Sequence, residues 1–519
     1  MTRYVLGIDA GTESIRAAIF DERGTCVSVG VGENANIHQH PGWAEQSVTQ
    51  WERALIKALK QAIASSPIPP ETIEGIGIDG TSCTVVFLDR NHQPLRDAII
   101  WMDVRAHTEG AEIAATKDPA LKYVGFGNVS AEWFPCKVLW TKRHEPAVFD
   151  QAATIFEHTD WLAYQLTGEI TANINTTTIR WFYDVTRGGF PTSLYQTIGL
   201  GDVFAKLPSR IVRLGEVIGG LSPKIAAQTG LKAGIPVAGG GADAYIGVIG
   251  VNALQPGKLA LITGSSHLHI GPVDKEIHAP GIFGTFPDAL LPGDQIVEAG
   301  QISTGSVLKW FTDNFVSPAI YREAEQKGVN VYQILGAQAN AIPAGAEGLI
   351  VLEHWQGNRT PWIDPTSRGV IRGLTLKHTP AHVFRAIMEG VAYGTAVILR
   401  RMEREGVTLA ELAACGGATQ SAVWMQIHAD VTGKTITIPK EQQAVSLGCA
   451  ILATVGAGIY GSIREAADQM VAVSKVIEPD LRKSAEYQFY IEQYIQTYER
   501  LQEESRKTVN HLEKSEGQR

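Results

Sequence analysis

Two stretches half a chain apart share one pattern, "YVLGIDAGTESIRAAIFDERG" at residues 4–24 and "GKLALITGSSHLHIGPVD" at residues 257–274. Each reads as strand, small-residue turn, strand, and "ITGSSHLHI" echoes "IDAGTESIRAAI". Self-similarity on this scale predicts two structurally related halves. A chain of 519 residues also exceeds what one ordinary core serves. "NALQPGK" supplies Pro-Gly punctuation just before the second unit, so domains of 1–253 and 254–519 are expected. Strand patterns such as "GIGID" alternate with helical ones, which means α/β. One predicted helix is "SVTQWERALIKALKQAI", where Ser47 and Gln50 have capping-box spacing and Trp51, Leu55, Leu59 and Ala62 line one face. Another lies near the C-terminus, with Tyr487, Tyr490, Ile491, Tyr494, Tyr498 and Leu501 at helical spacing ahead of a charged tail.

Composition narrows the functional classes. Hydrophobic residues at 44% and charged residues at 19% are those of a globular protein. A net charge of −9, with no basic cluster, argues against a nucleic-acid surface. The five cysteines are widely spaced without a CxxC pair, so neither a disulfide framework nor a zinc site is indicated. There is no signal-peptide pattern and no apolar run long enough to span a bilayer. A cytoplasmic protein without membrane contact is the expectation. The 53 glycines exceed the roughly 36 that average usage gives, a hint of backbone approaching a ligand.

Four small-residue turns follow apolar strands: "DAGTES", "TGSS", "GGGAD" and "GGATQS". Successive backbone N–H groups in such turns make anion-binding nests. One alone is an ordinary tight turn, but four spread over both halves favour a nucleotide held between domains. No Walker-type or dinucleotide glycine motif occurs. Asp9 ends a strand before Gly11 and Thr12, where a carboxylate either holds Mg²⁺ through waters or simply caps a turn. Arg16 either reaches phosphates or forms a surface pair. Asp243, behind three glycines, is the candidate base for phosphoryl transfer, with a plain turn aspartate as the alternative.

The blocks "LGIDAGTESIRAAIFD", "VAGGGADAYIG", "TGSS", "GQISTGSVLKWF" and "GGATQSAVWMQIHADVTG" occur in the order seen in FGGY carbohydrate kinases, which this chain resembles. "GVIRGLTLKHTPAHVFRAIMEG", residues 369–390, fits that family's C-terminal signature throughout. "EWFPCKVLW" keeps Lys137 and Trp140 of an earlier signature but lacks its small polar residue. The resemblance covers about residues 4 to 460. It implies two ribonuclease-H-like domains of the actin/hexokinase type closing over ATP, Mg²⁺ and a small-molecule sugar. It admits a homodimer.

By that resemblance Asp243 is the catalytic base and Asp9 lies near the metal. The implied nucleotide and phosphate set is Gly11, Thr12, Glu13, Ser14, Arg16, Thr263, Gly264, Gly305, Lys309, Gly416, Gly417, Ala418 and Ser421. Glycerol kinases carry Arg-Glu where this chain has Ser82 and Cys83, and xylulokinases commonly carry Gln-Met-His where it has "TSC" at residues 81–83. "GIDGTSCTVVFLD", "IIWMDVRA" and "GNRTPWIDPTSRG" look instead like the ribulokinase branch. Ser82, Cys83, Trp101, Asp103, Glu132 and Trp133, with Asp243, are the candidate sugar-site residues. For Trp101 and Trp133 the competing role is core aromatic, and for Asp103 an ion pair with Arg105. Phosphorylation of a ketopentose such as ribulose is the favoured reading. Kinases for xylulose, ribitol or erythritol, an ATPase, and a non-catalytic nucleotide-binding module are the rivals.

Overall fold

The computed structural model describes residues 2–127 and 129–516 of the 519-residue chain. One mixed sheet contains β1 (Tyr4–Ala10), β2 (Ser14–Asp21), β3 (Cys26–Glu33), β4 (Ile73–Gly80), β5 (Val217–Gly220) and β6 (Pro236–Ala238), in the order β5-β6-β4-β1-β2-β3. A second contains β7 (Lys258–Thr263), β8 (His267–Val273), β9 (Phe283–Pro287), β10 (Gln295–Gln301), β11 (Glu411–Gly416), β12 (Thr435–Pro439) and β13 (Val473–Ile477), in the order β9-β10-β8-β7-β11-β12-β13. The sheets repeat one topology. β1 pairs antiparallel with β2 and parallel with β4, as β7 does with β8 and β11. β4 pairs parallel with β6, as β11 does with β12, and each sheet then closes on an antiparallel strand. The echo between the two turns in the sequence is thus a real structural repeat.

The helices that position the site are α1 (Val48–Ala64), α2 (Ile174–Arg180), α3 (Asp243–Gly250), α4 (Gly305–Phe315), α5 (Val331–Asn340), α6 (Pro380–Arg404), α7 (Ala422–Thr432), α8 (Ala444–Gly456) and α9 (Leu481–Glu516). Trp51, Leu55, Leu59 and Ala62 of α1 are buried, as their spacing predicts. Ser47 is the N-cap of α1, but its side chain makes no capping bond. Its apolar face carries the helix, and the capping box read from sequence is not formed. α9 buries Tyr487, Ile491, Tyr494 and Tyr498.

Much of the glycine excess serves packing rather than ligand approach. A Cβ at Gly7 would lie 2.3 Å from the Ser446 carbonyl, and one at Gly77 1.9 Å from that of Cys449. Both carbonyls belong to α8, which therefore lies directly on β1 and β4. Gly250 and Gly448 let α3 and α8 meet in the same way, with Cβ positions 1.7 and 2.2 Å from the Ala444 and Ile246 carbonyls. α8 comes from the second half of the chain yet covers the sheet of the first, so one continuous core ties the halves together. All five cysteines are free. Among the described residues no helix is long and apolar enough to cross a membrane.

Candidate active site

The parallel register of β1 and β4 sets Asp9 beside Asp79 where the two strands end. Asp79 is fully buried and accepts from the Ala10 amide at 3.1 Å and the Cys449 thiol at 3.0 Å. Burial, with the Asp9 and Asp243 carboxylates added, holds its carboxyl well above the usual range. Asp9 has Arg16 Nη1 3.5 Å away. Burial raises Asp9 and that guanidinium opposes the rise. Asp243 opens α3, half-buried, and accepts from the Ala244 amide at 2.7 Å. Burial and then the Asp9 charge push its carboxyl up to about 7, against the Ala244 amide and Arg180, which pull it down. A carboxyl poised there is suited to taking a proton near neutral pH.

The three glycines before Asp243 serve close packing of the turn. A Cβ at Gly240 would lie 1.7 Å from the Ile78 carbonyl, at Gly239 2.6 Å from that of Arg213, and at Gly241 2.7 Å from the Asn175 side chain. They let the turn lie flat on β4 and under Asn175, whose Oδ1 accepts from the Ala242 amide at 2.9 Å. Close packing fixes Asp243, and the glycines do not open space for substrate.

The turn after β1 is held from behind. The Trp101 indole donates to Thr12 Oγ1 at 2.9 Å and Gln46 Nε2 to the Thr12 carbonyl at 2.5 Å. Gly11, Thr12 and Ser14 are partly open, while Glu13 and Arg16 are exposed. On the other side, Thr263 Oγ1 donates to the Cys415 carbonyl at 2.6 Å and accepts from the Ala418 amide at 3.1 Å. Gly416 has a left-handed φ of 93°. A Cβ there would lie 1.9 Å from the Thr263 carbonyl. Beside these turns lies a cavity of about 390 Å³ lined by Gly264, Gly305, Gly417, Ala418 and Ser421. Its apolar walls are Leu308, Tyr332, Phe384, Met388 and Trp424, with Asn330 and Gln333 as polar groups. Such a lining, apolar with a few convergent amides, suits a flat heteroaromatic ligand. Lys309 does not join it: its ammonium pairs with Asp313 at 2.7 Å in solvent.

Among the residues expected to meet a sugar, Cys83 has a left-handed φ of 58°, unusual for a side-chain-bearing residue. Its amide donates to Glu157 Oε2 at 2.9 Å and its carbonyl accepts from Lys137 Nζ at 2.5 Å. Burial pushes its thiol up to about 12, so it presents a neutral surface, with half-buried Ser82 alongside. Trp133 is buried against Phe182, with the Arg180 guanidinium 5.4 Å from its ring centroid. Glu132 Oε1 lies 3.5 Å from Arg359 Nη2 of the other half.

Of the two roles expected for Asp103, the structure shows the ion pair with Arg105. Asp103 is fully buried, and its carboxylate is filled by the Ala44 amide at 2.6 Å and by Arg105, whose Nε and Nη2 donate at 2.9 and 2.7 Å. It has no oxygen to spare for a sugar, and the ion pair is its role. Trp101 likewise spends its indole N–H on Thr12, which makes it a support of the turn after β1.

Several residues of the site escaped the sequence reading. Asp79 carries the same signal as Asp9, an acid closing an apolar strand. Arg180 and Glu298 pair across the halves at 2.9 Å, and the Tyr245 hydroxyl donates to Glu298 Oε2 at 2.7 Å. Burial raises the Glu298 carboxyl, but Arg180 outweighs it and holds the group below the usual range. A charge inside the apolar run "QIVEAGQ" was the available sign. α5 supplies cavity wall from a stretch with no motif at all.

Models of the FGGY family of carbohydrate kinases match the chain, the N-terminal domain at residues 4–250 and the C-terminal domain at residues 259–457. A ribulokinase from Halalkalibacterium halodurans is 33% identical, aligned over 95% of this chain and 94% of the relative. An FGGY carbohydrate kinase domain-containing protein from Xenopus laevis is 33% identical over 92% and 93%. The crystal structure of xylulose kinase from Rhodospirillum rubrum superposes with a TM-score of 0.86 at 28% identity, covering 97% of this chain and all, 100%, of that one.

Proposed function

The chain belongs to the FGGY family of carbohydrate kinases, ATP-dependent phosphotransferases, and from that premise we propose that it phosphorylates a ketopentose, ribulose before others, at a primary hydroxyl. The observation that carries this reading is the place of Asp243. Its carboxyl answers to Asp9 on the phosphate side and to Arg180 on the acceptor side, and is poised at about 7. In this reading the acceptor hydroxyl lies between Asp243 and the γ-phosphate. Asp243 takes its proton as the new O–P bond forms, and amides of the turns after β1 and β7 hold the transferring group. The 390 Å³ cavity holds the adenosine end.

Asp9 and Asp79 lie side by side where β1 and β4 end. That donor set suits a Mg²⁺ ion that keeps most of its waters, with Asp9 as its protein contact and Asp79 behind. Bound with the nucleotide, the ion would neutralise charge on the phosphates.

The acceptor side supports a neutral polyol chain rather than an anion. Arg180 and Arg359 are each already paired with a carboxylate, Glu298 and Glu132. Ribulose is favoured by the ribulokinase relatives and by "TSC" at residues 81–83. Xylulose is the second reading, favoured by the likeness to the Rhodospirillum rubrum enzyme. The test is ADP release with Mg-ATP against D-ribulose, L-ribulose, D-xylulose, ribitol, erythritol and glycerol, with a no-sugar control. A kcat/KM preference for one ribulose supports the proposal; preference for xylulose or a polyol replaces the substrate and keeps the kinase.

A further inference from the structure

α9 lies beyond residue 457, where the family match ends. It nevertheless reaches the cleft through one loop, residues 353–364. The loop is closed on itself, since the Asn358 amide donates to the Asp364 carbonyl at 2.8 Å and the Asp364 amide to that of Asn358 at 2.9 Å. Asn358 Oδ1 also accepts from the Trp362 amide at 3.0 Å. From its outer end Arg359 crosses to Glu132, the neighbour of Trp133.

The inner side of this loop rests on two tyrosines of α9. The Tyr494 hydroxyl donates to Glu353 Oε2 at 2.8 Å and lies 3.1 Å from His354 Nε2, which is in turn 3.1 Å from Asn358 Nδ2. Tyr498 stacks on Trp362 with centroids 4.0 Å apart and donates to Asp364 Oδ2 at 3.1 Å. Glu353 also takes Gln301 Nε2 at 2.7 Å. Gly394 of α6 leaves room for that bond, because a Cβ there would lie 2.4 Å from both partners. The loop is therefore specified by α9 at two points, while its outer end carries Arg359, which meets Glu132.

We propose that α9 is a positioning element for the acceptor site: Tyr494 and Tyr498 fix the 353–364 loop and through it the Arg359–Glu132 contact at the mouth of the cleft. The inference rests on the reading of the Glu132–Trp133 face as the sugar side. A helix that merely stabilised its domain would act on both substrates alike, whereas a loop that sets one lip of the cleft acts on the sugar.

Tyr487 provides an internal control. It sits on the same helix and its hydroxyl donates to Glu389 Oε1 at 2.8 Å, a bond of the same kind that does not touch the loop. The experiment compares Tyr494→Phe, Tyr498→Phe, their combination and Tyr487→Phe in the full chain. Amide hydrogen exchange without any ligand is the first readout. Exchange in peptides covering 353–364 and 129–134 should accelerate about tenfold in the combined variant and stay unchanged in Tyr487→Phe. With a sugar that the wild type phosphorylates, the sugar KM should rise about tenfold while the ATP KM stays within about twofold. Arg359→Ala should give the same shift and add nothing to the combined variant, because both act through one contact. Equal exchange changes in Tyr487→Phe, a parallel rise of the ATP KM, or full additivity with Arg359→Ala would overturn the proposal. The exchange readout needs no acceptor, so failure of the ribulose reading is distinguishable from failure of this one.

Discussion

The turn after β1 and the turn after β7 occupy equivalent places on equivalent sheets, yet one is charged and the other neutral. At the end of β1 the in-register pair is Asp9 and Asp79, two buried carboxyls. At the end of β7 it is Thr263 and Gly416, a hydroxyl spent on the Cys415 carbonyl and a residue with no side chain. The scaffold is the same, so the difference lies in what two strand ends present. Carboxyls fit the first half for charge and proton work. The bare second turn leaves a cavity whose walls are apolar. Asp243 stands where the halves meet, pushed up by burial and by Asp9 and pulled down by the Ala244 amide and Arg180.

Variants on each side can break or sharpen this contrast. Among the variants that compare the two sides, the largest effect belongs to Arg180→Met, which removes the guanidinium paired with buried Glu298 and leaves the Tyr245 hydroxyl bonded to it. Breaking such a pair costs about 3–5 kcal/mol of stability, and because Arg180 also pulls the Asp243 carboxyl down, sugar-dependent kcat/KM should fall by about 10²-fold in the fraction that remains folded. Nucleotide Kd by calorimetry should hold, and an equal loss of nucleotide binding would dissolve the division. Gly417→Val tests the opposite half. A Cβ at Gly417 meets nothing within 4 Å, so the chain accommodates it while the cavity narrows. The ATP KM should rise about tenfold and the sugar KM stay within about twofold; the reverse pattern would put the sugar in that cavity.

The third prediction concerns pH. A base must be ionised to accept a proton, so kcat/KM should fall as pH drops through about 7, where Asp243 takes up a proton. Because the Asp9 charge helps raise Asp243, Asp9→Asn should move that midpoint to lower pH whatever it does to the plateau. A midpoint that stays or moves up would separate the two carboxyls. The smallest effect is expected at Lys309, whose ammonium is in solvent with Asp313. Lys309→Ala should change both KM values by less than about twofold, and a larger loss would return this residue to the nucleotide site.

What the sequence disclosed follows from how local each signal is. Strand, small-residue turn and strand are written within about twenty residues, so the repeat, Asp9, Thr263 and the "GGATQS" turn were legible. Asp243 was legible as an acid at a turn, but the reason for its glycines was not, since Ile78 and Asn175 approach from distant parts of the chain. Arg180 and Glu298 lie 118 residues apart and acquire meaning only when the halves meet. Asp103 reads from sequence as either a ligand or an ion pair with Arg105, and the choice is made only where Arg105 and the distant Ala44 amide fill its carboxylate. Local chemistry named the turns. Long-range packing decided which groups remained free.

The central claim is that Asp243 serves transfer and not nucleotide binding. Asp243→Asn, measured for single-turnover sugar-dependent ADP formation and for nucleotide Kd in the same preparation, tests it most directly. The account predicts that the rate falls about 10²–10⁴-fold while the Kd stays within about twofold. A Kd that weakens in proportion to the rate, or a rate that survives, would contradict it.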